Sequence, residues 1–198
     1  PVPTPAPTPA PTPAPTPKEW QHQDMAIATF LNSEKNNYSV DENLDKRDKD
    51  FTKGILSMAT GTGKTSTSLA IAKKLIQEKK ISKVLIVPPN KKPLCAQWYK
   101  NIKEWLSENE INDFRVLRHF HDFKDVEEFK KDRNYILVLK RDFEVLEYIL
   151  PSLNKEKTLI IHDEVHGFGA PKLLSLAGLQ KDFKYTLGLS ATPEREYS

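Results

Sequence analysis

Gly54-Ile55-Leu56-Ser57-Met58 is a short apolar run of strand character. It opens through Ala59-Thr60-Gly61-Thr62-Gly63-Lys64 directly into a helical stretch at residues 65–80. No other feature of the chain constrains the fold as strongly. Strands joined through helices run parallel and are covered on both faces. The rest of the chain repeats the unit. Val84-Leu85-Ile86-Val87 is an apolar strand stopped by Pro88-Pro89, and residues 93–106 form a helix opened by Pro93, where the missing N–H costs nothing. Strands are expected at 114–120, 135–139, 158–163 and 185–189, with helices at 126–131, 143–150 and 172–179. In the first helix Leu69, Ala72 and Ile76 share a face, and Lys73, Lys74, Lys79 and Lys80 gather toward its end, where cations suit the helix dipole. The fold class is α/β, with a mostly parallel central sheet and helices on both faces.

The N-terminal part of the chain is different. Residues 1–17 place proline at every second position, alternating with Thr, Ala or Val. Such a segment lacks backbone donors and lies extended as polyproline II, a stiff spacer between domains. A spacer in that place, a start without methionine and the absence of a signal peptide imply an excised piece with something before it. Helical spacing then links Trp20, Gln23, Ile27 and Phe30, and residues 32–50 turn polar, as a solvated loop or insertion. The organisation is a linker at 1–17 and one domain at 18–198, with a polar loop or insertion near 32–50.

Composition bounds the function classes. The 198 residues suffice for one domain with a real core, and the net charge of +3, spread over interspersed charges of both signs, permits a polyanionic partner without arguing for one. A single cysteine, Cys95, excludes an internal disulfide and fits a cytoplasmic, reducing compartment. No apolar run is long enough to span a bilayer, so no membrane partner is expected.

Ligands of parallel α/β sheets bind outside the carboxyl ends of the strands. Three motifs fall there: the glycine-rich loop, Asp163-Glu164 after the strand at 158–163, and Ser190-Ala191-Thr192 after the last strand. A glycine-rich loop that ends in Lys-Thr and opens a helix is the layout that cradles phosphates with backbone N–H groups. Thr60, Gly61, Thr62 and Gly63 form the cradle, Lys64 reaches the β- and γ-phosphates, and the Thr65 hydroxyl binds magnesium. The full pattern wants a glycine at position 58, which is Met58. Asp163 is placed to hold the magnesium, and Glu164 to orient and deprotonate an attacking water. His121, His162 and His166 are too scattered for a zinc site, and His162 reads as structural.

Together these strings resemble the DEAH-type group of superfamily 2 helicases and translocases, which includes restriction-enzyme motor subunits and XPB-like repair helicases. The resemblance covers residues 18–198 in order. Met58-Ala59-Thr60-Gly61-Thr62-Gly63-Lys64-Thr65 matches motif I in the family's variant, which lacks the first glycine. Leu85-Ile86-Val87-Pro88 with Leu94, Gln97 and Trp98 looks like motif Ia, Asp163-Glu164-Val165-His166 matches motif II, and Leu187-Gly188-Leu189-Ser190-Ala191-Thr192-Pro193-Glu194-Arg195 matches motif III with its flank.

The resemblance implies the first RecA-like P-loop NTPase domain of an ATP-dependent helicase or translocase, with ATP and Mg2+ as ligands. It implies that Gln23 reads adenine, although the arginine often found a few residues earlier is absent. His166, Ser190 and Thr192 would couple nucleic acid to the ATP site, and residues near Pro88 to Gln97, with Lys91 and Lys92, would touch the nucleic acid backbone. DNA is favoured over RNA, with room for a nuclease or methyltransferase partner. The family's second RecA-like domain, which supplies arginine fingers, has no motifs here, so the isolated chain is expected to be nearly inactive. The competing reading is a nucleotide-gated binding or scaffold module without hydrolysis. Intact Lys64, Asp163 and Glu164 speak against it, as Ser190-Ala191-Thr192-Pro193 speaks against a small kinase.

Overall fold

The computed structural model describes residues 52–58, 63–164 and 170–191. The strands are β1 (Thr52–Met58), β2 (Lys83–Val87), β3 (Arg115–His119), β4 (Tyr135–Leu139), β5 (Thr158–His162) and β6 (Tyr185–Ala191). The helices are α1 (Lys64–Gln77), α2 (Lys92–Glu108), α3 (Val126–Phe129), α4 (Phe143–Ile149), continued by a 3-10 turn (Leu150–Ser152), and α5 (Ala170–Gln180). One sheet of six strands has the order β1-β6-β5-β2-β4-β3, and every ladder is parallel.

The strands β2, β4 and β5 are buried along their whole length, which is why they read as unbroken apolar runs. Successive side chains go to opposite faces. Val84, Ile86, Val138 and Ile161 pack with Ile71, Leu75, Trp98 and Ile102 of α1 and α2. Leu85, Val87, Leu137 and Ile160 pack with Phe129, Leu146, Ile149, Leu176 and Phe183 on the other side. Each such side chain contributes about 1.5–3 kcal/mol on burial. Cys95 is buried and free, as a small packed residue should be.

The first helix is shorter than its charge pattern suggests. It ends at Gln77, and Lys79 is left-handed with φ 56°. Lys80 N donates to Leu75 O at 2.9 Å across that turn, and Ile81 enters the core directly after it. A helical Lys79 and Lys80 would carry Ile81 away from the sheet, so the terminating turn forms without the usual glycine. At α4, Asp142 accepts from the N–H groups of Glu144 and Val145 at 3.0 and 3.4 Å, which caps the helix.

The strand ends fix where a ligand can sit. Met58 pairs with Ala191, and Val87 with His162. Because β6 lies between β1 and β5, the end of β1, the end of β6 and the turn after β5 succeed one another along one edge.

Candidate active site

Gly63 leads into α1 with φ 87° and ψ 33°, a left-handed conformation that glycine adopts without a Cβ clash. Its carbonyl accepts from Thr67 N at 2.8 Å. Lys64 and Thr65 are the first residues of α1, whose first turn has no side-chain cap and no acidic residue among the described residues. Ser68 Oγ donates to Thr65 O at 2.8 Å. A helix start of this kind offers unpaired N–H groups and a partial positive charge, to which an anion is the natural complement.

The acidic turn is held from several directions. Asp163 N donates to Val87 O at 3.1 Å, which continues the β5 to β2 contact one residue past the strand. Trp98 Nε1, on α2, donates to Asp163 Oδ2 at 2.9 Å. Arg141 Nη2, just after β4, donates to the Asp163 and Glu164 carbonyls at 2.6 and 2.9 Å. Glu164 is left-handed, with φ 57°. Its Oε1 lies 3.9 Å from Lys64 Nζ, with the side chains 38% and 15% exposed. A pair this open contributes ~0–1 kcal/mol, so it is readily displaced.

Two further groups set the electrostatics. Burial pushes the Arg141 guanidinium below its ordinary value, and the Asp163 and Glu164 carboxylates oppose the shift; it remains a cation near neutral pH. His162 is buried at the end of β5 against Gln180 of α5. Burial, with the Arg141 charge adding to it, brings its pKa to about 3 against the opposing Gln180 hydrogen bond. The ring is neutral at physiological pH and fills a structural place.

Lys64, Asp163 and Glu164 are therefore brought together, with Thr65 beside Lys64. Gln23, Thr60, Gly61, Thr62, His166 and Thr192 lie outside the described residues. Ser190 is inside β6 rather than past its end: β1 runs on beside β6, with Ser57 paired to Ser190, and that pairing prolongs the strand. Leu94, Gln97, Lys91 and Lys92 are exposed, whereas Trp98 is turned inward. Among the described residues no group of three or more His, Cys, Asp or Glu side chains could hold a metal, and no helix is long and apolar enough to cross a membrane.

Sequence reasoning missed Arg141 altogether and gave Trp98 no contact with the site. The available signal for Arg141 was its place: a charged residue two positions past an apolar strand, at the edge where Asp163 was found.

A family model described as type III restriction enzyme, res subunit, matches residues 17–195. No curated protein matches the chain. Among solved structures, the Sulfolobus solfataricus SWI2/SNF2 ATPase core in complex with dsDNA is 22% identical with a TM-score of 0.57, over 89% of this chain and 32% of that one. The UvsW helicase from bacteriophage T4 is 14% identical with a TM-score of 0.56, over 88% of this chain and 52% of its own. A nuclease-deletion mutant of the Type ISP restriction-modification enzyme LlaGI, in complex with a DNA substrate mimic, is 21% identical with a TM-score of 0.54, over 89% and 17%. The chain thus spans about half or less of these proteins, and at such identities the likeness is one of fold.

Proposed function

The chain belongs to the family of type III restriction enzyme res subunits and has the fold of a first RecA-like domain of superfamily 2, and from that premise we propose that it binds ATP with Mg2+ and hydrolyses it as part of a DNA helicase or translocase. The observation that carries the reading is the approach of Lys64 Nζ to Glu164 Oε1 at 3.9 Å. It joins a helix start suited to phosphate with an acidic turn suited to water activation, from two strands that are not neighbours.

In this reading Thr60, Gly61, Thr62 and Gly63 cradle the phosphates and Lys64 neutralises the β- and γ-phosphate charge. Thr65 and Asp163 hold Mg2+. The donor set fits, because magnesium takes one or two protein oxygens and leaves the rest of its shell to phosphate and water. Bound magnesium supplies charge neutralisation at the phosphates. Glu164 orients the attacking water and takes its proton. Substrate phosphate draws Lys64 off Glu164, which frees the carboxylate for that work. Gln23 reads adenine, and His166, Ser190 and Thr192 couple the site to nucleic acid.

DNA as the partner is supported by the dsDNA and the DNA mimic held by two of the structural neighbours. Lys91 and Lys92, exposed on the loop into α2, suit backbone phosphates. The proposal includes slow turnover by this chain alone, with a second RecA-like domain supplying the facing wall. A nuclease or methyltransferase partner and a cytoplasmic setting complete the proposal.

The test is ATP turnover by the full-length protein with and without DNA, beside Glu164→Gln and Lys64→Ala. Loss of the general base should lower turnover by about 100-fold or more while nucleotide still binds. Lys64→Ala should lose nucleotide affinity as well. Turnover that survives Glu164→Gln would sink the hydrolytic role.

A further inference from the structure

Arg141 belongs to none of the motifs of the site, yet one nitrogen of its guanidinium, Nη2, donates to two successive carbonyls, Asp163 O at 2.6 Å and Glu164 O at 2.9 Å. Those two carbonyls bracket the φ and ψ angles of Glu164. Successive carbonyls point the same way only where the residue between them has helical dihedrals of either hand; in an extended chain they point to opposite sides. Glu164 has φ 57°, a conformation that costs a non-glycine residue roughly 1 kcal/mol or more. A donor that accepts only the helical arrangement offsets that cost. The donor is itself anchored: Arg141 N donates to Pro88 O at 3.0 Å, Asp142 beside it caps α4, and the residue is half-buried. Its positive charge also faces the carboxylates of Asp163 and Glu164, so loss of the guanidinium removes both the peptide clamp and the attraction.

We infer that Arg141 is a positioning residue that holds Glu164 in its left-handed turn and so aims the carboxylate at Lys64 and the phosphate end of the site. The inference rests on the hydrolytic reading of Glu164. Without the clamp the Asp163–Glu164 peptide relaxes toward extended backbone and the carboxylate swings off the line of attack. Phosphate binding, which depends on the loop before α1, is untouched.

The experiment compares Arg141→Ala and Arg141→Lys with the parent, all as full-length protein. Two quantities are read: amide hydrogen exchange of the peptide spanning the acidic turn, without nucleotide, and the kcat and KM of ATP turnover with DNA. In Arg141→Ala the turn should exchange about tenfold faster or more. Its kcat should fall by about 100-fold, as a displaced catalytic group entails, with the KM for ATP and the affinity for DNA within about threefold of the parent. Arg141→Lys keeps a cation whose single nitrogen can serve two carbonyls, and should recover part of both losses. Unchanged exchange of the turn in Arg141→Ala overturns the inference whatever the turnover does. So does an unchanged kcat, or equal loss of kcat and of binding in both variants. A parent without ATP turnover would refute the hydrolytic reading instead, and the exchange measurement would still decide whether Arg141 holds the turn.

Discussion

Trp98 donates its indole N–H to Asp163 Oδ2 at 2.9 Å, from a position 65 residues earlier in the chain. The indole is only 4% exposed, so its one polar atom needs a buried partner and finds it in a carboxylate. The contact occupies one oxygen of Asp163 and fixes the orientation of the other. The acidic turn after β5 is thus braced by α2, the helix that follows the loop with Pro88 and Pro89 after β2.

Trp98→Phe keeps most of the ring and removes the donor. Loss of a hydrogen bond to a charged group should lower stability by about 1.5–3 kcal/mol. If Asp163 holds magnesium, the Mg2+ concentration for half-maximal nucleotide binding should rise by about tenfold or more, as when other outer partners of metal ligands are removed. A magnesium titration of nucleotide binding measures it. An unchanged magnesium requirement would show that the brace is structural only.

Gly63 carries a second expectation. At φ 87° and ψ 33°, an alanine would set its Cβ against the following carbonyl at a cost of roughly 1–2 kcal/mol. The loop can escape only by shifting the N–H groups that open α1. Gly63→Ala should therefore weaken nucleotide binding by about tenfold, while secondary structure by circular dichroism stays at the parental level. Parental affinity in the variant would mean that the left-handed residue plays no part in the cradle.

Much of the fold was legible because β2, β4 and β5 are buried along their whole length, so each shows as a continuous apolar run that punctuation by Pro88 and Pro89 or by polar turns brackets. The end of α1 was not, because Lys79 takes a left-handed conformation that a lysine does not advertise. Ser190 lies within a strand because β1 runs on beside it, a neighbour that only the strand order reveals. Lys64, Asp163 and Glu164 could be picked out from local strings. The contacts of Arg141 and Trp98 with the acidic turn could not, since their partners lie 22 and 65 residues away and meet them only because β2 sits between β4 and β5. Contacts made through the sheet order leave no spacing signature.

Lys83 shows the same principle in stability rather than function. It opens β2 nearly buried, and its Nζ donates to Phe129 O at 2.6 Å and to Lys131 O at 2.7 Å. Phe129 is the last residue of α3 and Lys131 lies just past it, so the helix stops short of the Lys131 expected from the sequence. Lys83→Met keeps the stem and leaves both acceptors without their cation, which should cost about 2–3 kcal/mol. Urea unfolding measures the loss, and ATP turnover at a temperature where both proteins are folded should be unchanged. A variant as stable as the parent would show that water satisfies the helix end equally well.

His162 makes stability depend on pH. Its pKa in the folded chain is about 3, against about 6.5 when unfolded. Between these values the unfolded chain binds a proton that the folded chain refuses, so stability rises with pH across that window. The contribution is fully present above the unfolded value and is lost as pH falls, at about 1.4 kcal/mol per pH unit well inside the window. Replacement by glutamine, His162→Gln, removes the titration and keeps a polar side chain beside Gln180. The variant should be less stable than the parent at pH 7.5 because the buried packing changes. The gap should then narrow as the pH is lowered toward 5, because only the parent carries the proton-linked loss. Urea unfolding midpoints of both proteins at a series of pH values, in a chelator so that no divalent cation binds the neighbouring Asp163, decide the point. A gap that stays constant from pH 7.5 to 5 would mean that His162 accepts a proton in the folded chain as readily as in the unfolded one.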